Sequence, residues 1–229
     1  MTELLNSPMT GVLISLICFE LGLYIYHKTK IPFFNPLLIA IILVIFVIKL
    51  FNISLDSFNI GGDLISFFLG PATVVLAVPL YHKLDLIKKY FAPILLGVTV
   101  GSITAMFSIY YISKLFGLND ELTFSLVPKS ITTPIGIEVS KVIGGIPAIT
   151  VAAIILTGII GAVISPLVCK VFKIKNEIAI GISIGTASHA IGTTKAIEMG
   201  ETEGAMSSLA IGIAGIITSL IAPILISML

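Results

Sequence analysis

Three polar strings interrupt an otherwise apolar chain, and their residue types suit the handling of a small carboxylate. The densest is Gly185-Thr186-Ala187-Ser188-His189-Ala190-Ile191-Gly192-Thr193-Thr194-Lys195. Hydroxyls of this kind donate hydrogen bonds to a carboxylate, and a Lys supplies countercharge. His189 titrates near neutral pH and could couple proton movement to the movement of a solute. Gly185 and Gly192 let the backbone leave helical geometry. A histidine hydrogen-bonded between helices is the structural alternative.

The second string is Pro128-Lys129-Ser130-Ile131-Thr132-Thr133-Pro134, followed by Gly136 and Glu138. Two Pro, three hydroxyls and a Lys make a poor lipid-facing helix. A Lys within a membrane is costly unless it is paired or hydrated. Ser130, Thr132 and Thr133 can donate to a carboxylate, with Lys129 as countercharge. An interfacial loop with Lys129 reaching to headgroups is the alternative. The third string is Gly70-Pro71-Ala72-Thr73. Pro71 lacks an N–H and crowds the preceding turn, so a kinked or broken helix is expected. A Pro-kinked helix packed on its neighbours is the plainer reading.

The elements that must position these strings follow from composition. Of 229 residues 57% are hydrophobic and 11% charged, against about 25% charged in a soluble domain. All 13 basic residues are Lys, so a nucleic-acid footprint and a planar bidentate carboxylate clamp are both excluded. The two Cys, Cys18 and Cys169, lie in apolar runs and indicate neither a disulfide scaffold nor a metal site. The apolar start lacks a basic leader and a small-residue cleavage site, so it reads as mature protein. No Walker loop, dinucleotide fingerprint, G-x-S-x-G or H-E-x-x-H string occurs, and neither an enzyme nor a bound cofactor is expected.

An apolar helix needs about 20 residues to cross a bilayer. Candidate segments are Gly11–Tyr26, Phe34–Phe51, Ile60–Tyr81, Phe91–Phe116, Pro147–Val168, Ile178–Ala196 and Gly204–Leu229, with Phe124–Val142 weaker. Eight Lys fall in three loops, 28–30, 81–90 and 169–177, whereas Asp56, Asp63, Asp120, Glu121, Glu201 and Glu203 occupy the other linkers. The positive-inside rule puts the Lys loops in the cytoplasm. That is consistent only if Phe124–Val142 does not cross as a simple helix. Seven crossings, one re-entrant or broken segment and an outside N-terminus are expected.

At an offset of 115 residues, Ile31-Pro32 matches Ile146-Pro147, Gly70 matches Gly185, Ala72 matches Ala187, Thr73 stands against Ser188, and Gly97 matches Gly212. Charge orients the two copies oppositely. One membrane domain over residues 1–229 is expected, with inverted repeats at about 11–116 and 124–229. Such repeats with matching interruptions point to a secondary transporter. Gly97/Gly101 and Gly181/Gly185 have the spacing of close helix packing, and Asn35-Pro36 reads as a helix start.

The strings FLGPATVVLAVPLY (68–81), SLVPKSITTPIGIEVSKVIGGIP (125–147) and GTASHAIGTTKAIEMGETEGAMSSLAIGIAG (185–215) resemble the LrgB/CidB family from about Pro32 onward. The resemblance implies an all-α polytopic protein of the cell membrane with inverted repeats and broken helices, like the cation-proton antiporters and bile-acid symporters. It also implies two functional readings. One is transport of small monocarboxylates such as glycolate, glycerate or pyruvate, coupled to an ion or proton. The other is antiholin-like control of murein hydrolase activity and autolysis, by assembly with an LrgA/CidA-type membrane partner.

For transport, the expected substrate contacts are Pro71, Ala72, Thr73, Lys129, Ser130, Thr132, Thr133, Pro134, Thr186, Ser188, His189, Thr193, Thr194 and Lys195. His189 or Glu138 would carry the coupled proton. No metal or catalytic residue is expected. The expected partners are the lipid bilayer, a small carboxylate and further copies of the chain, without nucleic acid.

Overall fold

The computed structural model describes residues 7–31, 34–68, 71, 74–75 and 77–228, and every regular element among them is a helix. The chain is an all-α polytopic membrane protein. Four helices are long and apolar enough to cross a bilayer: Met9–Thr29, Phe91–Leu115, Pro147–Val171 and Glu201–Met228. Two compact units divide the chain, 1–75 and 76–229.

The first unit contains α1 (Pro8–Thr29), α2 (Pro36–Leu50) and α3 (Leu55–Phe67). Asn35 caps α2 as its sequence predicts: its Oδ1 accepts the Leu37 N–H at 2.9 Å, and Pro36 follows in the first turn. Ser54 caps α3 in the same way, accepting the Ser57 N–H at 3.1 Å. Glycines let α1 meet both neighbours. A Cβ on Gly11 would stand 2.6 Å from the Phe58 carbonyl of α3, and one on Gly22 would stand 2.5 Å from the Pro36 carbonyl of α2. Contact this close is how helices associate where lipid removes the hydrophobic drive.

The predicted segment Ile60–Tyr81 is not one helix. Helix α3 stops at Phe67, and a separate α4 runs Ala77–His82. Pro71 is helical and exposed between them. Gly70, Ala72 and Thr73, the predicted partners of Gly185, Ala187 and Ser188, lie outside the described residues.

The second unit continues from α4 with α5 (Leu84–Lys89), α6 (Phe91–Leu115), α7 (Asp120–Leu126), α8 (Thr133–Val142), α9 (Pro147–Val171), α10 (Glu177–Met199) and α11 (Glu201–Met228). Its core gathers Ile94, Val98 and Met106 of α6, Val127 and Ile131 of the α7–α8 connection, and Met206, Ala210 and Ala214 of α11. Helix α10 has the length of a span, but its hydroxyls, His189 and Lys195 make it too polar to stand in lipid alone. It is packed between α9 and α11.

On the α11 side, a Cβ at Gly185 would collide with the Ser207 carbonyl, and one at Gly181 would stand 2.7 Å from Met206 Cβ. The Gly181/Gly185 spacing is therefore a packing device. Gly185→Ala should force the two helices apart and lower the thermal midpoint in detergent, at a cost of about 1–3 kcal/mol. Gly212→Ala is the matched control, because nothing stands within 4 Å of its added methyl. It should hold or raise the midpoint, as Ala replaces Gly in a helix.

Candidate functional site

The segment 120–142 folds back on itself. Asn119 starts α7 by accepting the Leu122 N–H at 3.0 Å, and a tight turn over 127–132 separates α7 from α8. The reversal is fixed by one hydroxyl of α9. Thr150 Oγ1 donates to the Ser125 carbonyl of α7 at 2.8 Å and lies 2.7 Å from Ser140 Oγ of α8. Ser125 Oγ also accepts the Ile146 N–H at 2.6 Å. A continuous helix would carry Ser125 and Ser140 about 22 Å apart at its ordinary rise. Both instead reach one side chain, so this is a hairpin rather than a crossing. All three hydroxyl residues are fully buried, and their polar atoms satisfy one another as an apolar surrounding requires.

The hairpin tip carries Lys129 and Ser130. Lys129 Nζ lies 3.3 Å from Ser130 Oγ, and none of the ion pairs among the described residues includes it. Facing this tip, α10 breaks at His189, where φ is 44° and ψ −145°. A side chain rarely takes such a backbone, which costs on the order of 1–3 kcal/mol unless the surroundings enforce it. They do so here. His189 Nε2 lies 2.8 Å from the Ile154 carbonyl of α9, so that nitrogen carries a proton. Thr193 Oγ1 donates to the His189 carbonyl at 2.9 Å and lies 2.7 Å from Ser207 Oγ of α11. A Cβ on Gly158 of α9 would stand 2.7 Å from the imidazole Cε1, and one on Gly161 would occupy the space of Ser188 Oγ.

A cavity of about 660 Å³ opens between α6, the first half of α10 and the hairpin tip. Among the described residues of its wall, Lys129 is the one that is charged, and none is a carboxylate. Ser130 and Thr186 line it as well. Thr186 is 7% exposed, and its Oγ1 has no hydrogen-bond partner. A desolvated hydroxyl without a partner is costly, and Ser102 Oγ and Thr123 Oγ1 of the same unit are left in the same state. The size falls in the ordinary range of small-molecule sites, which is about 300–1,000 Å³.

Of the residues expected at the site, the cavity brings together Lys129, Ser130 and Thr186. Ser188, His189 and Thr193 are buried in the packing of α10 against its neighbours. Thr132 and Thr133 are half-buried at the start of α8, and Pro134 is exposed. Thr194 is exposed, with its hydroxyl donating to the Ile191 carbonyl. Lys195 pairs with Glu198 at 2.8 Å, and Glu138 with Lys141 at 2.7 Å, both on helix surfaces. The α6 wall, including Gly97 and Gly101, was not foreseen as part of a site. Its signal was the glycine spacing, which leaves space beside α10 at Gly97, where an added Cβ would still be 3.9 Å from Ile182 Cγ2.

The model of the LrgB-like family matches residues 15–228. The chain belongs to the LrgB family. Proteins named antiholin-like protein LrgB from Bacillus mycoides (strain KBAB4), Bacillus cereus (strain B4264) and Bacillus anthracis (strain CDC 684 / NRRL 3495) are each 40% identical to it over 218 residues. The alignments cover 95% of this chain and 95% of each relative. No solved structure matches the chain.

In this LrgB-family chain the hairpin depends on Thr150. Thr150→Val keeps the shape and removes the hydroxyl, leaving the Ser125 carbonyl and Ser140 short of a partner. The expected loss is about 1–3 kcal/mol, read as a lower thermal midpoint. Thr150→Ser, which retains the hydroxyl, should restore most of it.

Proposed function

We propose that the chain acts in the cell membrane as an antiholin-like protein, without catalysis of its own. The observation that carries this reading is its 40% identity, over 95% of both chains, to relatives bearing that name. In the LrgB/CidB resemblance such a role means restraint of murein hydrolase activity and autolysis by assembly, with further copies of the chain and with an LrgA/CidA-type membrane partner.

The Lys129 cavity favours a second reading, a carrier or transport subunit for small monocarboxylates such as pyruvate, glycolate or glycerate. An ammonium outside the ion pairs among the described residues, with Ser130 Oγ 3.3 Å from it and no carboxylate among the described residues of the wall, makes a binding place for a carboxylate. The break at His189 supplies a strained, buried element of the kind that alternating carriers use. His189 remains the candidate for a coupled proton, and Lys129 is the candidate countercharge.

One pair of measurements separates the readings. Purified protein in liposomes, with and without an LrgA-type partner, is tested for uptake of labelled pyruvate or glycolate under a proton gradient. In parallel, expression in cells lacking their own LrgB-type protein is tested for suppression of lysis. Under the carrier reading, Lys129→Met lowers uptake about tenfold or more, since it removes a charge-assisted contact. Full suppression of lysis by Lys129→Met, with no uptake by the parent chain under any condition, would leave assembly alone standing.

A further inference from the structure

Helix α10 touches α11 in a way that one continuous helix does not allow. Gly181, in its first half, lies against the start of α11, where an added Cβ would stand 2.7 Å from Met206 Cβ. Ile197, near its other end, lies against the same stretch, with Cγ1 2.7 Å from the place of a Cβ on Gly204. A continuous helix would hold Gly181 and Ile197 about 24 Å apart. Farther along α11, Gly185 and Thr193 share one partner, Ser207. A Cβ on Gly185 would collide with the Ser207 carbonyl, and Thr193 Oγ1 lies 2.7 Å from Ser207 Oγ. Ile180, Ile184 and Ala196 also meet Cys169 of α9 in one buried cluster. The chain thus runs beside α11 from 177, turns at His189, where the backbone is not helical, and returns beside α11 to 199. Each arm is about 18 Å long at the ordinary rise, whereas a hydrocarbon core is about 30 Å thick.

Both ends of α10 therefore lie at one face. One end continues from α9 through Lys170, Lys173 and Lys175. The other leads to Glu201, whose Oε2 is 3.3 Å from Lys83 Nζ in the 81–90 loop. Charge bias places Glu201 and Glu203 opposite the Lys loops; the ion pair puts Glu201 among them. Helix α11 starts at this face and has 28 residues, about 42 Å at the ordinary rise, so it ends at the opposite one. Helix α6 also leaves the Lys-rich face, and the α7–α8 hairpin follows its far end.

We infer that residues 177–199 form a re-entrant hairpin inserted from the cytoplasmic face, and that the Lys129 cavity opens to the cytoplasm beside it. The positive-inside rule makes the Lys-rich face cytoplasmic. The two hairpins enter from opposite faces and meet near their tips, since Lys129 and Ser130 of one and Thr186 and Ala187 of the other line the same cavity. The α6 helix and the inward arm of α10 run side by side from there: a Cβ on Gly101 would stand 3.0 Å from Thr186 Cγ2, and one on Gly97 3.9 Å from Ile182 Cγ2. Between them the wall continues to Tyr90 and Asn176, which adjoin Lys89 and Lys175 in the Lys-rich loops. The inference goes beyond both functional readings, because it fixes which face reaches the site and not what binds there.

The test is labelling by a charged, membrane-impermeant maleimide in right-side-out and inverted membrane vesicles. Single cysteines replace Lys175, Glu201, Glu121 and Ala105 in the full chain; the parent, whose Cys18 and Cys169 are buried, is the blank. A tag appended after Leu229 to the otherwise unaltered chain gives an independent reading by antibody access. Lys175→Cys and Glu201→Cys should react in inverted vesicles only. Glu121→Cys should react, and the tag be reached, in right-side-out vesicles only. Ala105→Cys, on the cavity wall, should react in inverted vesicles. Labelling of Glu201→Cys from the same side as Glu121→Cys, with the tag on the side of Lys175→Cys, means that α10 crosses and overturns the inference. Labelling of Ala105→Cys from the outer side only, or from neither side, overturns the cytoplasmic opening of the cavity.

Discussion

A helix that breaks inside a membrane must have its freed backbone and side-chain polar groups satisfied by protein, because lipid offers no hydrogen bonds. The second unit depends on this constraint being met at His189. Its backbone geometry there is one that a side chain disfavours, and α10 carries hydroxyls that lipid would reject. Both are accommodated by squeezing α10 between two partners. Gly158 and Gly161 clear the α9 face for His189 and Ser188, while Gly181 and Gly185 on α10 itself clear the α11 face. The hydroxyl pair Thr193 and Ser207 then closes the remaining polar gap.

The hairpin obeys the same rule by different means. Its turn at 127–132 contains Pro128 and precedes Pro134, so its backbone cannot be satisfied by an uninterrupted helix. Thr150 of the neighbouring helix ties its two arms, and the tip is left to project Lys129 toward the cavity. The rigid part is thus one hydroxyl cluster at the base. The charged part is one ammonium at the tip, and Thr150 of α9 ties the two arms behind it.

Much of this was legible in the sequence, for identifiable reasons. Pro and Gly mark where helices stop, so Asn35-Pro36, the 128–134 string and the 185–195 string were each recognisable as boundaries or breaks. Lys charge bias alone required residues 124–142 not to cross, and the hydrogen bonds of Thr150 supply the geometry that the bias only implied. Legibility ended where side chains choose partners. Lys195 and Glu138 looked like site charges because their strings were polar. Each instead sits three residues from an opposite charge on a helix face, an arrangement that forms ordinary surface pairs. The α6 wall was missed for the opposite reason: glycine and alanine carry no chemical signal, and their contribution is the space they leave.

The contrast among the charged groups is what gives the cavity its meaning. Lys114, Lys141 and Lys195 each have a carboxylate partner in the same unit, and Lys83 reaches Glu201 at 3.3 Å. Carboxylates are therefore available to this unit, yet the described residues of the cavity wall include none. Desolvating an ammonium without a counterion is expensive, and a purely structural Lys at the hairpin tip would gain by pairing. A Lys left without a protein counterion among the described residues is what the carrier reading needs. Under the carrier reading a carboxylate fixed beside Lys129 would compete with the substrate anion for the same charge.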